Sequence, residues 1–205
     1  MAKDNSNEYV ILDFETTGLS PTYARVIEVA AVIVKDNQVI DTLSQLMHPG
    51  CFIPSFITGI TGITNAMVKG KPSPENFMPT LHQFIGSRPI LAHSASFDKK
   101  FLLSEMDNIG KTIENSFLCT LKLARRLISA PNYKLTTLRS HLNLKISKGH
   151  QAHRALDDVM VTLQLWLYIK NHISKLIDSE PDFDFLAKIE NYPKNKIKKL
   201  FEQFA

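Results

Sequence analysis

Cysteine is scarce in this chain: Cys51 and Cys119 are the only two among 205 residues. Two thiols so far apart exclude a disulfide framework and a thiolate zinc site, and leave core or surface thiols. Long apolar runs are lacking as well. The opening residues, Met1 to Glu8, contain no apolar segment able to act as a signal peptide, and no later run reaches the roughly 20 residues that cross a membrane. The expectation is a cytoplasmic protein with no membrane partner. The glycine fingerprints of dinucleotide-binding and Walker-type phosphate loops are missing. So are low-complexity segments and internal repeats, apart from the doublet in Thr58-Gly59-Ile60-Thr61-Gly62-Ile63.

What is present fits one well-buried domain with a tail. Hydrophobic residues make up 44% and charged residues 21%, as in ordinary globular proteins. The net charge of +4 is unevenly placed. Between Lys99 and Arg154 eleven Lys and Arg stand against three acids, Glu105, Asp107 and Glu114. Such an excess suits a polyanion held by its backbone, although helices with solvated basic faces give the same pattern.

Along the chain, residues 8–14 read as a first strand, 25–34 as a second and 39–47 as a third, with a turn at Asp36-Asn37. The short connections imply an antiparallel meander. Residues 48–79 are rich in Pro, Gly, Thr and Ser and read as a long irregular connection. A helix is predicted at 75–86, a central strand at 89–92, and a helix from there to Ile109, capped by Ser94 or Ser96 and closed by Gly110. A strand at 112–117, helices at 120–129 and 135–142, and a loop at 147–151 follow. The longest helical pattern covers 152–176, with Leu156, Val159, Met160, Leu163, Trp166 and Leu167 as its buried stripe. Residues 177–205 form a tail ending in a basic amphipathic helix with Lys194, Lys196, Lys198 and Lys199. The order of elements predicts an α/β fold, a mixed sheet of an antiparallel meander plus parallel strands flanked by helices.

Chemistry concentrates at strand ends and helix starts. In an extended strand Asp13 and Glu15 project to one side, about 7 Å apart along the backbone. Two like charges there call for a counter-ion, and a hard divalent cation with oxygen ligands is the suitable one. Asp98 follows the predicted central strand, and His153, Asp157 and Asp158 open the long helix. Taken singly, each is commonly a solvated or capping residue. Together they are the parts of two-metal phosphoryl hydrolysis: four carboxylates for two Mg²⁺ or Mn²⁺, and a histidine that accepts a proton near neutral pH.

Asp13-Phe14-Glu15-Thr16-Thr17-Gly18, His93-Ser94-Ala95-Ser96-Phe97-Asp98 and His153-Arg154-Ala155-Leu156-Asp157-Asp158, in this order, resemble the three motifs of the DnaQ-like (DEDDh) 3′–5′ exonucleases. The resemblance covers residues 8–170 and implies a ribonuclease H-like fold with an exonuclease domain at 1–176. It implies Asp13, Glu15, Asp98 and one aspartate of the last motif as ligands of two divalent cations, and His153 as general base in contact with the substrate. The family spacing of five residues from His selects Asp158 over Asp157. The same resemblance implies that Phe14, Thr16, Thr17, Gly18 and His93 line the terminal nucleotide, that Ile63 supplies an apolar contact to its base, and that Phe97 packs beside it. The second motif usually carries Asn where this chain has Ser94. The implied substrate is a DNA 3′ end, single-stranded or frayed, with RNA trimming and a non-catalytic nucleic-acid-binding module as the other readings. A DNA polymerase subunit is an implied partner through the 177–205 tail; a tail folded back on its own domain is the alternative.

Overall fold

The computed structural model describes residues 8–145 and 154–202. Five strands form one mixed sheet in the order β3-β2-β1-β4-β5. β1 (Glu8–Thr16), β2 (Val26–Lys35) and β3 (Gln38–Leu46) are the antiparallel meander. Its tight turn places Asp36 and Asn37 at positive φ, 49° and 66°, a conformation that short polar side chains tolerate. β4 (Ile90–Ala92) and β5 (Phe117–Cys119) add in parallel on the other side of β1.

The two faces of β1 follow from its alternation. Tyr9 and Ile11 join a core with Ala30, Val32 and Val34 of β2 and with the long helix α7 (Ala155–Ile177). Val10, Leu12 and Phe14 face the opposite way, onto α3 (Pro74–Ile85) and α4 (Ala95–Asp107), through Met78, Leu81, Ile85, Phe101 and Leu102. Asp13 and Glu15 therefore continue the Tyr9 and Ile11 face, where apolar packing gives way to acids. At that end the register slips: Glu15 pairs with Glu28 but Thr16 pairs with Val26. The slip is a bulge, which re-aims side chains at the end of a strand.

Three expectations need correction. The stretch 48–79 is not irregular throughout, since α1 (Ser55–Thr61) and α2 (Asn65–Val68) lie in it and α3 starts at Pro74. Asn65 holds this segment by accepting from the Ile53 N–H and donating to the Ile53 carbonyl, while Ile53, Ile57, Ile63 and Val68 pack on Ile27. The strand expected at 112–117 is β5 at Phe117–Cys119, because only those residues find a ladder partner in β4. Ser94 stands at the start of α4 without a capping bond: its backbone is left-handed, with φ 70° and ψ 42°.

The predicted helices at 120–129 and 135–142 are α5 (Thr120–Leu127) and α6 (Leu135–His141). The predicted loop at 147–151 and the first residues of the helix expected at 152 lie outside the described residues. Of the stripe expected along the long helix, Val159, Leu163 and Trp166 are buried, while Leu156, Met160 and Leu167 are partly buried against the same core. The tail carries α8 (Phe183–Asn191) and α9 (Ile197–Phe201), joined by a short 3₁₀ turn. Leu186, Ile189, Ile197, Leu200 and Phe201 are buried in the α7 core, and the buried Glu190 accepts from the Cys119 N–H at 2.8 Å and from Lys122 at 2.9 Å. This segment thus packs on the sheet edge and α5, leaving Lys194, Lys196, Lys198 and Lys199 exposed.

Candidate functional site

β1 delivers Asp13 and Glu15 to the sheet's end, and the first turn of α7 delivers Asp158 to meet them. One carboxylate oxygen from each lies within 4.8 Å of the others, the one such group among the described residues. Asp157, one position earlier, is not in the group. Successive helical residues point about 100° apart, so one aspartate can face the strand end and its neighbour cannot. Asp98 lies in the first turn of α4, is 2% exposed, and accepts the Phe14 N–H at 3.2 Å. That bond ties the second motif directly to the backbone between Asp13 and Glu15.

Asp13, Glu15 and Asp98 are perturbed in the direction expected for crowded carboxylates. Burial, then the charges of Asp98, Asp158, Glu15 and Glu28, hold Asp13 well above the usual carboxylate range. Burial, then Asp158, Glu28 and Asp98, push Glu15 up to about 8, with Arg154 pulling the other way. Asp98 is pushed up to about 7 by burial, opposed by the Phe14 N–H. A cluster that disfavours its own ionised form is a site where added positive charge is favourable. Its donors are all carboxylate oxygens, which suits Mg²⁺ or Mn²⁺ better than a thiolate-preferring ion.

The other predicted residues divide into those the fold brings to the cluster and those it uses otherwise. Thr16 and Thr17 are buried at the turn after Glu15. Thr16 Oγ1 donates to the Gly18 carbonyl at 2.6 Å, and Thr17 Oγ1 accepts the Arg25 N–H at 2.9 Å. At Gly18 a Cβ would stand 3.3 Å from the Ala24 Cβ, so the loop closes most easily on glycine. Phe14 is 3% exposed in the core between the sheet and α3–α4, so its backbone rather than its ring reaches the site. Phe97 is partly buried and packs on Phe101 at 5.0 Å between ring centres.

Two side chains expected on the substrate are committed elsewhere. Both ring nitrogens of His93 are engaged, Nδ1 with the Thr120 hydroxyl at 2.9 Å and Nε2 with the Tyr133 carbonyl at 3.0 Å. Burial lowers its proton affinity, so His93 acts as a neutral latch between the end of β4, α5 and the segment before α6. Ile63 has no exposed surface and fills the small core under α1. The apolar side chains that face solvent near it are Phe52, Phe56 and Ile60, all more than half exposed. His153 lies outside the described residues.

Sequence reasoning missed two arginine–carboxylate pairs. Arg25, just past the Thr-Gly turn, donates from Nε and Nη2 to both oxygens of the buried Glu105 on α4 at 2.9 and 3.0 Å, and also reaches Glu75. Arg154 donates in the same manner to Glu28 of β2. The partners are 80 and 126 residues apart, beyond any local pattern. The readable signal was Glu28 itself, a lone acid inside the apolar run of β2.

Comparison with known proteins places this geometry in context. A family model described as an exonuclease, RNase_T, matches residues 10–166. The DNA polymerase III subunit epsilon of Aquifex aeolicus is 35% identical over 162 residues, 78% of this chain and 79% of that protein. The PolC-type DNA polymerase III of Caldanaerobacter subterraneus subsp. tengcongensis is 36% identical over 170 residues, 82% of this chain. The chain spans only 12% of that polymerase's length. Among solved structures, Exonuclease X in complex with 5′ overhanging duplex DNA superposes with a TM-score of 0.72 at 31% identity, covering 89% of this chain and 99% of that one. E. coli Exonuclease I with a dT13 oligonucleotide shares the fold at 20% identity, with a TM-score of 0.72 over 83% of this chain and 42% of that one.

Proposed function

The chain belongs to the exonuclease family that the RNase_T model describes, with a ribonuclease H-like fold, and from that premise we propose that it is a metal-dependent 3′–5′ exonuclease that shortens DNA and releases nucleoside 5′-monophosphates. The observation that carries this reading is the meeting of Asp13, Glu15 and Asp158, with Asp98 bonded to the backbone between the first two. Asp13, Glu15, Asp98 and Asp158 would hold two divalent cations, Mg²⁺ or Mn²⁺. Cations there supply the positive charge that a phosphodiester needs as it takes up an attacking oxygen and releases the leaving 3′-oxygen.

The chain's own residues do the rest. His153 takes the proton of the attacking water, for which its ordinary pKa near 6.5 is suited at neutral pH. The Thr16-Thr17-Gly18 turn, held closed by its own hydrogen bonds and by Arg25 on Glu105, gives the terminal nucleotide a fixed wall. The apolar contact to the terminal base is assigned to the exposed Phe56 and Ile60 in place of the buried Ile63. The basic excess between Lys99 and Arg154 holds the backbone of the strand.

Proofreading beside a polymerase is the wider setting of the proposal, supported by the polymerase subunits and PolC-type enzymes among the relatives. Since the apolar side of residues 183–201 is turned into the chain's own core, a polymerase contact through this segment uses its lysine-bearing outer surface. Charge reversal at Lys194, Lys196, Lys198 and Lys199 tests that contact by co-purification; an unchanged polymerase band removes it.

Matched 5′-labelled DNA and RNA oligomers, each with a free and a blocked 3′ end, test substrate and direction together in Mn²⁺. The expected result is a ladder shortening from the free 3′ end of DNA, with slower loss of RNA. Faster trimming of RNA would favour an exoribonuclease. Cleavage indifferent to the 3′ block would remove the proposed direction.

A further inference from the structure

Asp13, Glu15 and Asp158 come from two elements, β1 and α7, with no covalent tie between them, and their like charges push those elements apart. A feature beside them opposes that push. Glu28 sits directly across from Glu15 in the β1–β2 ladder and so projects to the same face. Its neighbours on that face are Ala30, Val32 and Val34, all apolar and buried. Glu28 is 2% exposed, yet it does not join the acid group; its carboxylate turns to the start of α7. Arg154 Nη2 donates to Oε1 at 2.7 Å, Arg154 Nε lies 3.2 Å from both oxygens, and the Ala155 N–H donates to Oε2 at 3.1 Å.

One carboxylate thus anchors both the residue preceding α7 and its first backbone N–H. The helix has no side-chain cap of its own at Arg154, so Glu28 supplies from another element the acceptor that a first-turn N–H requires. The pair is only partly buried, with the Glu28 side chain 2% and the Arg154 side chain 34% exposed, and a pair open to solvent on one side contributes little to stability by itself. What an ion pair with forked geometry provides is a fixed distance and orientation. Four residues beyond the anchor, in the same first turn, stands Asp158.

We propose that the Glu28–Arg154 ion pair is a positioning device that fixes the start of α7 against β2, and so holds Asp158 at cation-binding distance from Asp13 and Glu15 before any cation arrives. This rests on the metal-dependent reading above. Charge alone and position make opposite predictions. Arg154 is a positive charge near a cation site, so a purely electrostatic role makes its removal tighten cation binding. A positioning role makes its removal weaken binding.

Calorimetric titration of Mn²⁺ into the full chain, at a temperature where circular dichroism shows each variant folded, separates them. Arg154→Met and Arg154→Lys should each weaken Mn²⁺ binding by about 10-fold or more, the range found when groups that orient metal ligands are removed. Arg154→Lys keeps the charge and loses the fork, and it decides the matter if Arg154→Met fails to fold. Tighter binding by Arg154→Met, or wild-type binding by Arg154→Lys, overturns the proposal while leaving the metal site in place. A wild-type chain that binds no Mn²⁺ overturns the metal reading and the positioning role with it.

Discussion

Strand β1 carries acids at both ends, and the two ends treat them in opposite ways. At its start Glu8 is met by two cations, Lys35 Nζ on Oε1 and Arg88 Nε on Oε2, both at 3.0 Å. Those hydrogen bonds, Lys35 first, hold the Glu8 carboxyl below its usual range. At its other end Asp13 and Glu15 are surrounded by Asp98, Asp158 and Glu28, and both are held above the usual range. The nearby arginine, Arg154, is itself committed to Glu28. One end is a finished ion-pair cluster joining β1 to β2 and to Arg88, two residues before β4. The other is left with more acids than cations where three motifs meet, so its carboxylates ionise fully only when positive charge is added, and such a cluster has a use for an incoming cation.

The largest expected effects break this contrast directly. Asp158→Ala should reduce Mn²⁺-dependent nuclease activity to background, while Asp157→Ala, outside the acid group, should keep most of it. Glu8→Ala should leave turnover unchanged. Rates on a labelled oligonucleotide check all three, and an inactive Asp157→Ala beside an active Asp158→Ala would reverse the assignment. His153→Ala should lower kcat by about 10²–10⁴, the usual range for loss of a general base, and equal turnover would remove it from the proton transfer.

A smaller effect should appear in the pH dependence of stability without metal. Glu15 at about 8 and Asp98 at about 7 lie above their ordinary values of 4.5 and 3.8. The folded chain therefore binds more protons than the unfolded one between roughly pH 4 and pH 8, so stability should fall as pH rises through that window. Melting in EDTA should show Tm lower at pH 8 than at pH 5, with Mn²⁺ restoring more at pH 8. A Tm that rises over the same window would contradict the crowding. The smallest expected effect concerns Ser94, left-handed at the start of the helix that carries Asp98. Asn adopts that conformation more readily, so Ser94→Asn should stabilise by about 0.5 kcal/mol in denaturant melts, and a loss of stability would place the strain elsewhere.

Much of this was legible in the sequence because it is local. The apolar run before Asp13, its i, i+2 acids and the turn at Asp36-Asn37 set out the meander, and motif order brought Asp98 and Asp158 to β1. Other features escaped because they depend on distant partners. α1 is seven residues long and contains Gly59, and it is held by packing on Ile27 and by the Asn65 bonds to Ile53. β5 is three residues whose place is fixed by β4. The family resemblance implies Ile63 as the base contact, yet its side chain is core, held there by packing on Ile27 that no local pattern shows. The same resemblance implies His93 as a substrate contact, and the partners that engage it instead, Thr120 and Tyr133, lie 27 and 40 residues on.

The most direct test of the contrast between the two ends of β1 is the rate of nucleotide release as divalent cation is withdrawn and returned. With 5′-labelled single-stranded DNA at saturation, release should cease in excess EDTA and recover when Mn²⁺ exceeds the chelator. Full activity in excess EDTA would contradict the account, because the crowded acids around Asp13 would then have no part in the chemistry.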